Sequence, residues 1–222
     1  MAEKKVQVMY FSSLRALKDG IYYQDGEIRI AKNGETELLT RTDDLKLLGL
    51  HNFENVMVAS AMALHAGVPM ETVRKVIQEF AGVEHRIEFV RTVQGVDFIN
   101  DSKGTHPDST IKAIETMKKP TILILGGYDK HSEFDELFAH FTDKIVGIVI
   151  LGATKQKILS AAERAGVTNI QLADSFEQAV RMAYAAAPAG GTVLLSPAAA
   201  SFDKYRNFEE RGNDFKAVVR AL

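Results

Sequence analysis

At 222 residues, with 46% hydrophobic and 25% charged residues, the chain has the makeup of a folded globular protein of one large or two small domains. A formal net charge of -2 argues against a nucleic-acid-binding surface, and the absence of Cys excludes disulfides and thiolate chemistry and fits a reducing compartment. No apolar run reaches the roughly 20 residues of a membrane-spanning helix, and the opening MAEKKVQVMYF lacks a signal-peptide core, so a cytoplasmic protein with no membrane or nucleic-acid partner is expected.

In chain order, the first fifty residues read as strands joined by tight turns. Val6 to Phe11 is a short apolar run. Asp25-Gly26, between Ile21-Tyr22-Tyr23 and Glu27-Ile28-Arg29-Ile30, is a strong hairpin signal, and Asn33-Gly34 offers a second turn. An isolated ribbon of this kind is marginal in water, so it should lean on the next segment of the chain. This opening reads as the tail of a domain whose beginning is absent. His51 to Phe80 reads as two helices, with Phe53, Val56, Met57, Ser60 and Leu64 on one face of the first, and Asn52 is its expected N-cap. A unit boundary is expected between Ala81 and Glu84, where Gly82 ends the second helix.

Beyond it, Ile87 to Val90 and Val96 to Ile99 flank Gln94-Gly95 and form a hairpin that places one antiparallel strand on the sheet. A helix from about Asp108, with Pro107 in its first turn, leads into alternating strands and helices: Thr121–Leu125, a helix near Phe134–Phe141, Ile145–Leu151, a helix over Lys155–Ala165, Ile170–Leu172, a helix capped by Ser175, Thr192–Leu195, and a closing helix from Phe202 or Tyr205 to Ala221. Near-continuous apolar strands alternating with helices predict an α/β fold, a Rossmann-like, mostly parallel sheet covered on both faces.

Polar residues follow three of these strands: Asp101, Ser102, Lys103 and Thr105 after one, Asp129 and Lys130 after the next, Ser201 and Asp203 after the last. Open α/β sheets bind ligands outside the carboxyl ends of their strands, and two lysines in such a crevice suit phosphate or carboxylate. Each position also has a plainer reading as a solvated loop charge or a cap. His65, His131 and His140 have no metal-binding spacing and read as surface residues, so no metal ligands are expected. Neither GxxxxGK[ST] nor GxGxxG occurs, so the 222 residues carry no phosphate cradle of those kinds.

The runs Gly49-Leu50-His51-Asn52-Phe53-Glu54-Asn55, His85-Arg86, Asn100-Asp101-Ser102-Lys103-Gly104-Thr105 and Gly126-Gly127-Tyr128-Asp129-Lys130 resemble, in order, those of the Mur ligases. The closing Leu195-Ser196-Pro197-Ala198-Ala199-Ala200-Ser201-Phe202-Asp203 and Glu210-Arg211-Gly212-Asn213-Asp214-Phe215 are most similar to the D-glutamate-adding branch. The resemblance implies an ATP- and Mg2+-dependent ligase that joins D-glutamate to UDP-MurNAc-L-Ala in peptidoglycan precursor synthesis, acting as a monomer in cell wall biogenesis, cell shape and cell division. It implies that residues 1–83 are the end of an incomplete central ATP-binding domain and 84–222 a C-terminal amino-acid-binding ligase domain, with the Mg2+ ligands mainly outside this chain. Alone, the chain is then expected to be inactive. By the same resemblance Lys103 and His85 are catalytic, with His85 shaping the hinge. Asn52, Asn55, Arg86 and Asp101 bind ATP, and Thr105, Lys130, Ser201 and Phe208 bind D-glutamate. The sequence departs from the pattern at His106, where Asn is common, and at Ala199, where Cys is common. The alternatives are another amino-acid ligase of the superfamily, such as a folylpolyglutamate synthase relative, and a non-catalytic α/β binding module; the closing motif counts against the first.

Overall fold

The computed structural model describes residues 8–222, so Val6 and Gln7 of the first apolar run lie outside the described residues. The chain divides into two compact units, Met1–Gly82 and Val83–Leu222.

In the first unit, strands β1 (Phe11–Ser12), β2 (Gly20–Gln24), β3 (Glu27–Lys32) and β4 (Glu35–Arg41) form one sheet in that order. Both predicted turns are present, with φ values of 50° and 80° at Asp25 and Gly26 and 53° and 84° at Asn33 and Gly34. Positive φ at both central residues matches the twist of the flanking strands, which is why Asp-Gly and Asn-Gly are favoured there. The ribbon does lean on the helical segment after it: Ile21, Ile28 and Leu39 bury against Val56 and Met57 of α1 (Leu50–His65) and Val73 and Ile77 of α2 (Met70–Glu79). Asn52 is not the N-cap. Gly49 holds that position, and the Asn52 amide instead donates back to the Leu48 carbonyl at 2.7 Å.

The second unit is a six-stranded sheet in the order β5 (Glu88–Val93), β6 (Val96–Asn100), β10 (Thr192–Leu195), β7 (Thr121–Leu125), β8 (Ile145–Ile150), β9 (Ile170–Leu172). Only β5 is antiparallel, paired with β6 through the Gln94-Gly95 turn. The period-2 alternation of β7 sorts its side chains between two layers. Leu123 and Leu125 pack with α3 (Pro107–Glu115), α4 (Asp135–Ala139) and α5 (Lys155–Arg164), whereas Ile122 and Ile124 pack with α6 (Phe176–Ala186) and α7 (Phe208–Arg220). Ser175 caps α6 as predicted, its hydroxyl accepting from the Gln178 amide at 3.1 Å. The closing helix begins later than predicted. Residues 201–205 form a turn in which the Ser201 carbonyl accepts from the Lys204 and Tyr205 amides, and Asn207 caps α7 by accepting from the Glu210 amide at 2.8 Å.

The last strand inserts between β6 and β7, so the three strands followed by polar loops are neighbours with their carboxyl ends on one edge. Phe98, fully buried on β6, anchors the layer beneath by packing against Tyr184 and Phe215 at ring-centroid distances of 5.6 and 6.3 Å. Phe98→Ala is expected to destabilise this unit by about 3–5 kcal/mol, read as a lowered urea midpoint; a loss below about 1 kcal/mol would show that the layer closes over the gap.

Candidate functional site

The site is built from three loops: residues 101–106 after β6, 126–131 after β7 and 196–205 after β10. Backbone hydrogen bonds stitch them together. The Asp101 amide donates to the Leu195 carbonyl (2.7 Å), Gly126 to Pro197 (2.8 Å) and Tyr128 to Ala200 (2.8 Å). Gly127 is required by this approach, since a Cβ there would lie 2.2 Å from the Ala200 carbonyl oxygen.

Beneath the loops lies Arg211, in the first turn of α7 and 2% exposed. Its guanidinium donates to the Ser102 hydroxyl (Nε, 3.0 Å), the Ser102 carbonyl (Nη2, 2.8 Å) and the Ala199 and Ala200 carbonyls (Nη1, 3.0 and 3.2 Å). The Ser102 hydroxyl donates onward to the Phe208 carbonyl at 2.7 Å. Burial lowers the Arg211 pKa to about 10, so the group is still cationic at neutral pH. One side chain thereby joins the loop after β6, the loop after β10 and the start of α7.

Lys103 and Lys130 are exposed on this edge, and among the described residues neither ammonium has a carboxylate within ion-pair distance. Each lies against an aromatic face instead, Lys103 5.6 Å from the Phe208 ring centroid and Lys130 5.5 Å from that of Phe202. Thr105 is partly exposed, its hydroxyl 3.1 Å from His106 Nδ1, whereas Ser201 is buried at the end of the Ala200–Tyr128 bridge. Lys103, Thr105, Lys130, Ser201 and Phe208 thus all belong to the loops and helix start that Arg211 and the backbone bonds tie together. Arg86 is exposed and lends positive charge to Asp101. Asn52 and Asn55 belong to the first unit, where Asn52 is buried and Asn55 exposed.

Two expected site residues take up supporting positions. His85 is 3% exposed, with Nδ1 3.0 Å from the Asn100 side-chain nitrogen and its ring edge-on to Phe208, so it acts as a wedge under the loop. Asp101 is 4% exposed and both oxygens are engaged, Oδ1 by the Ile87 amide (3.2 Å) and Oδ2 by the Ser196 hydroxyl (2.6 Å). Sequence reasoning assigned no role to Arg211, Ser102 or Lys216. A signal was present, because Arg211, Phe215 and Val219 recur at i, i+4 and i+8, which places a cation on the buried stripe of α7. No cluster of three His, Asp or Glu side chains suited to a metal ion occurs among the described residues.

Comparison with known proteins gives a consistent result. Residues 85–199 match the family described as Mur ligase, glutamate ligase domain. The UDP-N-acetylmuramoylalanine--D-glutamate ligase of Lachnoclostridium phytofermentans is 45% identical over 216 residues, covering 97% of this chain and 47% of that protein. The protein of the same name from Clostridioides difficile is 43% identical over 223 residues, covering 100% of this chain and 49% of its own length. The chain therefore spans about half the length of the curated relatives it matches. Among solved structures, MurF from Acinetobacter baumannii aligns with a TM-score of 0.65 at 17% identity, covering 95% of this chain and 47% of that one. UDP-N-acetylmuramate-alanine ligase MurC from Thermotoga maritima aligns at 0.63 and 15% identity, covering 88% and 44%. At these identities the likeness to solved structures is one of fold.

The surroundings of Asp101 generate a pH prediction. Burial raises its pKa to about 7, against the opposing pull of the Ser196 hydroxyl, the Ile87 amide and the charges of Arg86 and Arg211. A folded-state pKa above the unfolded value contributes stability that is present in full below the unfolded pKa, near 3.8, and is lost as pH rises through about 7. Asp101→Asn is therefore expected to flatten the fall in stability between those limits, measured by urea unfolding across the range. An unchanged pH slope would contradict the assignment.

Proposed function

As the chain belongs to the Mur ligase family through its glutamate ligase domain, we propose that Val83–Leu222 is the part of an ATP-dependent ligase that receives D-glutamate for addition to UDP-MurNAc-L-Ala. The observation that carries this reading is the pairing of two ammonium groups without carboxylate partners, Lys103 and Lys130, with the hydroxyls of Thr105 and Ser201 on loops after neighbouring strands. A dicarboxylate amino acid calls for such cations and hydroxyl donors, held in place before it arrives.

The proposed division of work follows the resemblance to the family's motifs, residue by residue. Lys130, Thr105, Ser201 and Phe208 bind D-glutamate and orient its amine. Lys103 faces the reacting acyl phosphate, whose negative charge its ammonium offsets. ATP supplies the phosphoryl group that activates the acceptor carboxylate; Asn52, Asn55 and Arg86 are the residues proposed to contact it, with Asp101 bracing the turn that carries Arg86. No step is assigned through Mg2+, for which the described residues offer no ligand cluster. Residues 1–83 are proposed as the end of the ATP-binding domain. The reading extends to a cytoplasmic monomer that serves peptidoglycan synthesis, and through it cell wall biogenesis, cell shape and cell division. No helix among the described residues is long and apolar enough to cross a membrane.

In the intact ligase, Lys130→Ala is expected to impair use of D-glutamate while sparing ATP. Loss of a charge-assisted contact costs on the order of 1.5–3 kcal/mol, or about ten- to a hundredfold in kcat/KM for D-glutamate. Steady-state kinetics with the two substrates varied separately provide the test: an unchanged D-glutamate profile, or equal losses for both, would overturn the assignment.

A further inference from the structure

Lys216 is 7% exposed on α7, although an ammonium in a helix is ordinarily solvated. It follows Phe208 and Gly212 at intervals of four, so the three share one face of the helix. Its Nζ lies 3.0 Å from Glu84 Oε1 and 3.2 Å from Glu88 Oε1, joining the C-terminal helix to the segment that opens this unit. The second oxygen of Glu88 accepts from the His85 amide and from the Asn100 side chain, both at 2.9 Å.

These bonds enclose an unfavourable piece of backbone. His85 and Ile87 have φ values of +64° and +47°, a region that non-glycine residues avoid and that is severe for a β-branched one. Such a conformation persists only where its surroundings over-determine it. The His85 ring is wedged against α7, where a Cβ on Gly212 would lie 2.2 Å from its Nδ1. From this turn the connections run to the site: the His85 carbonyl accepts from the Lys103 amide at 2.9 Å, and the Ile87 amide donates to Asp101 at 3.2 Å. Burial lowers the Lys216 pKa, but its bonds to Glu84 and Glu88 outweigh that and leave it raised, so the tether is charged at neutral pH.

We propose that Lys216 is a positioning residue: through Glu84 and Glu88 it holds the His85–Ile87 turn, and through that turn it fixes the start of the Lys103 loop. Its consequence for catalysis rests on the ligase reading above, whereas the positioning itself is independent of it. Amide hydrogen exchange on the 222-residue chain tests it directly. Lys216→Met is expected to speed exchange at His85, Ile87 and Lys103 by about tenfold or more while Leu123 and Leu194, in the sheet core, stay within about twofold. Lys216→Arg should restore protection. Glu84→Gln, altering a carboxylate exposed to solvent, should give a smaller acceleration at the same amides and decides the matter if Lys216→Met does not fold. Unchanged exchange at the three amides, or equal acceleration in the core, overturns the proposal whatever the activity. In the intact ligase the same loosening should lower kcat more than it raises the KM for D-glutamate. Faster exchange at the three amides with kcat intact would count against the catalytic role of Lys103 and leave the positioning in place.

Discussion

The arrangement depends on one buried cation. Arg211 has no carboxylate within bonding distance among the described residues; its guanidinium is held by three backbone carbonyls and a hydroxyl. A charge removed from water is costly unless its donors are satisfied, and a buried carbonyl left without a donor is costly too. Arg211 meets both requirements together. Its planar fork reaches two loops at once, which a lysine ammonium on a flexible stem could not do with the same geometry. The loops after β6 and β10 are therefore tied to the first turn of α7 as well as to their strands.

That constraint explains how exposed, polar loops can present a fixed arrangement of groups. Lys103 and Lys130 sit at the tips, each supported by an aromatic ring, while the atoms that hold the loops lie below: Arg211, Ser102, Asp101 and Ser196. The visible cations have no carboxylate partner among the described residues, whereas the buried Arg211 and Asp101 are satisfied by the bonds below them. Thr154 extends the same logic to the loop after β7, its hydroxyl accepting from the Gly127 amide at 3.0 Å while its own amide donates to the Gly127 carbonyl at 2.9 Å.

Much of the fold was legible because local chemistry and the final structure agree. Asp25-Gly26, Asn33-Gly34 and Gln94-Gly95 form turns where predicted, and the near-continuous apolar run of Thr121–Leu125 marks a strand buried on both faces. The clustering of polar residues just after apolar strands was legible for the same reason. What failed to show were long-range choices. Nothing local indicates that the last strand inserts between β6 and β7, yet that insertion makes the three loops neighbours. Ser201 looks like a helix start, but its carbonyl closes a turn and Asn207 takes the cap. Asn52 looks like a cap, but Gly49, at φ 91°, takes that place. Asp101, expected near the nucleotide, and His85, expected to shape the hinge, are both buried, which no local signal indicated. The supporting cations, Arg211 and Lys216, lie on the same helix as buried Phe215 and Val219, and the sequence reading gave neither a role.

The most direct measurement of this account is backbone 15N relaxation of an Arg211→Met variant. With the guanidinium gone and the side-chain volume largely kept, order parameters at Lys103, Gly104, Ala200 and Ser201 should fall from rigid values near 0.85 to below about 0.6, while Leu123 and Leu194 stay rigid. Order parameters at the four loop positions that match those of the unaltered protein would contradict the claim that one buried cation holds the site together.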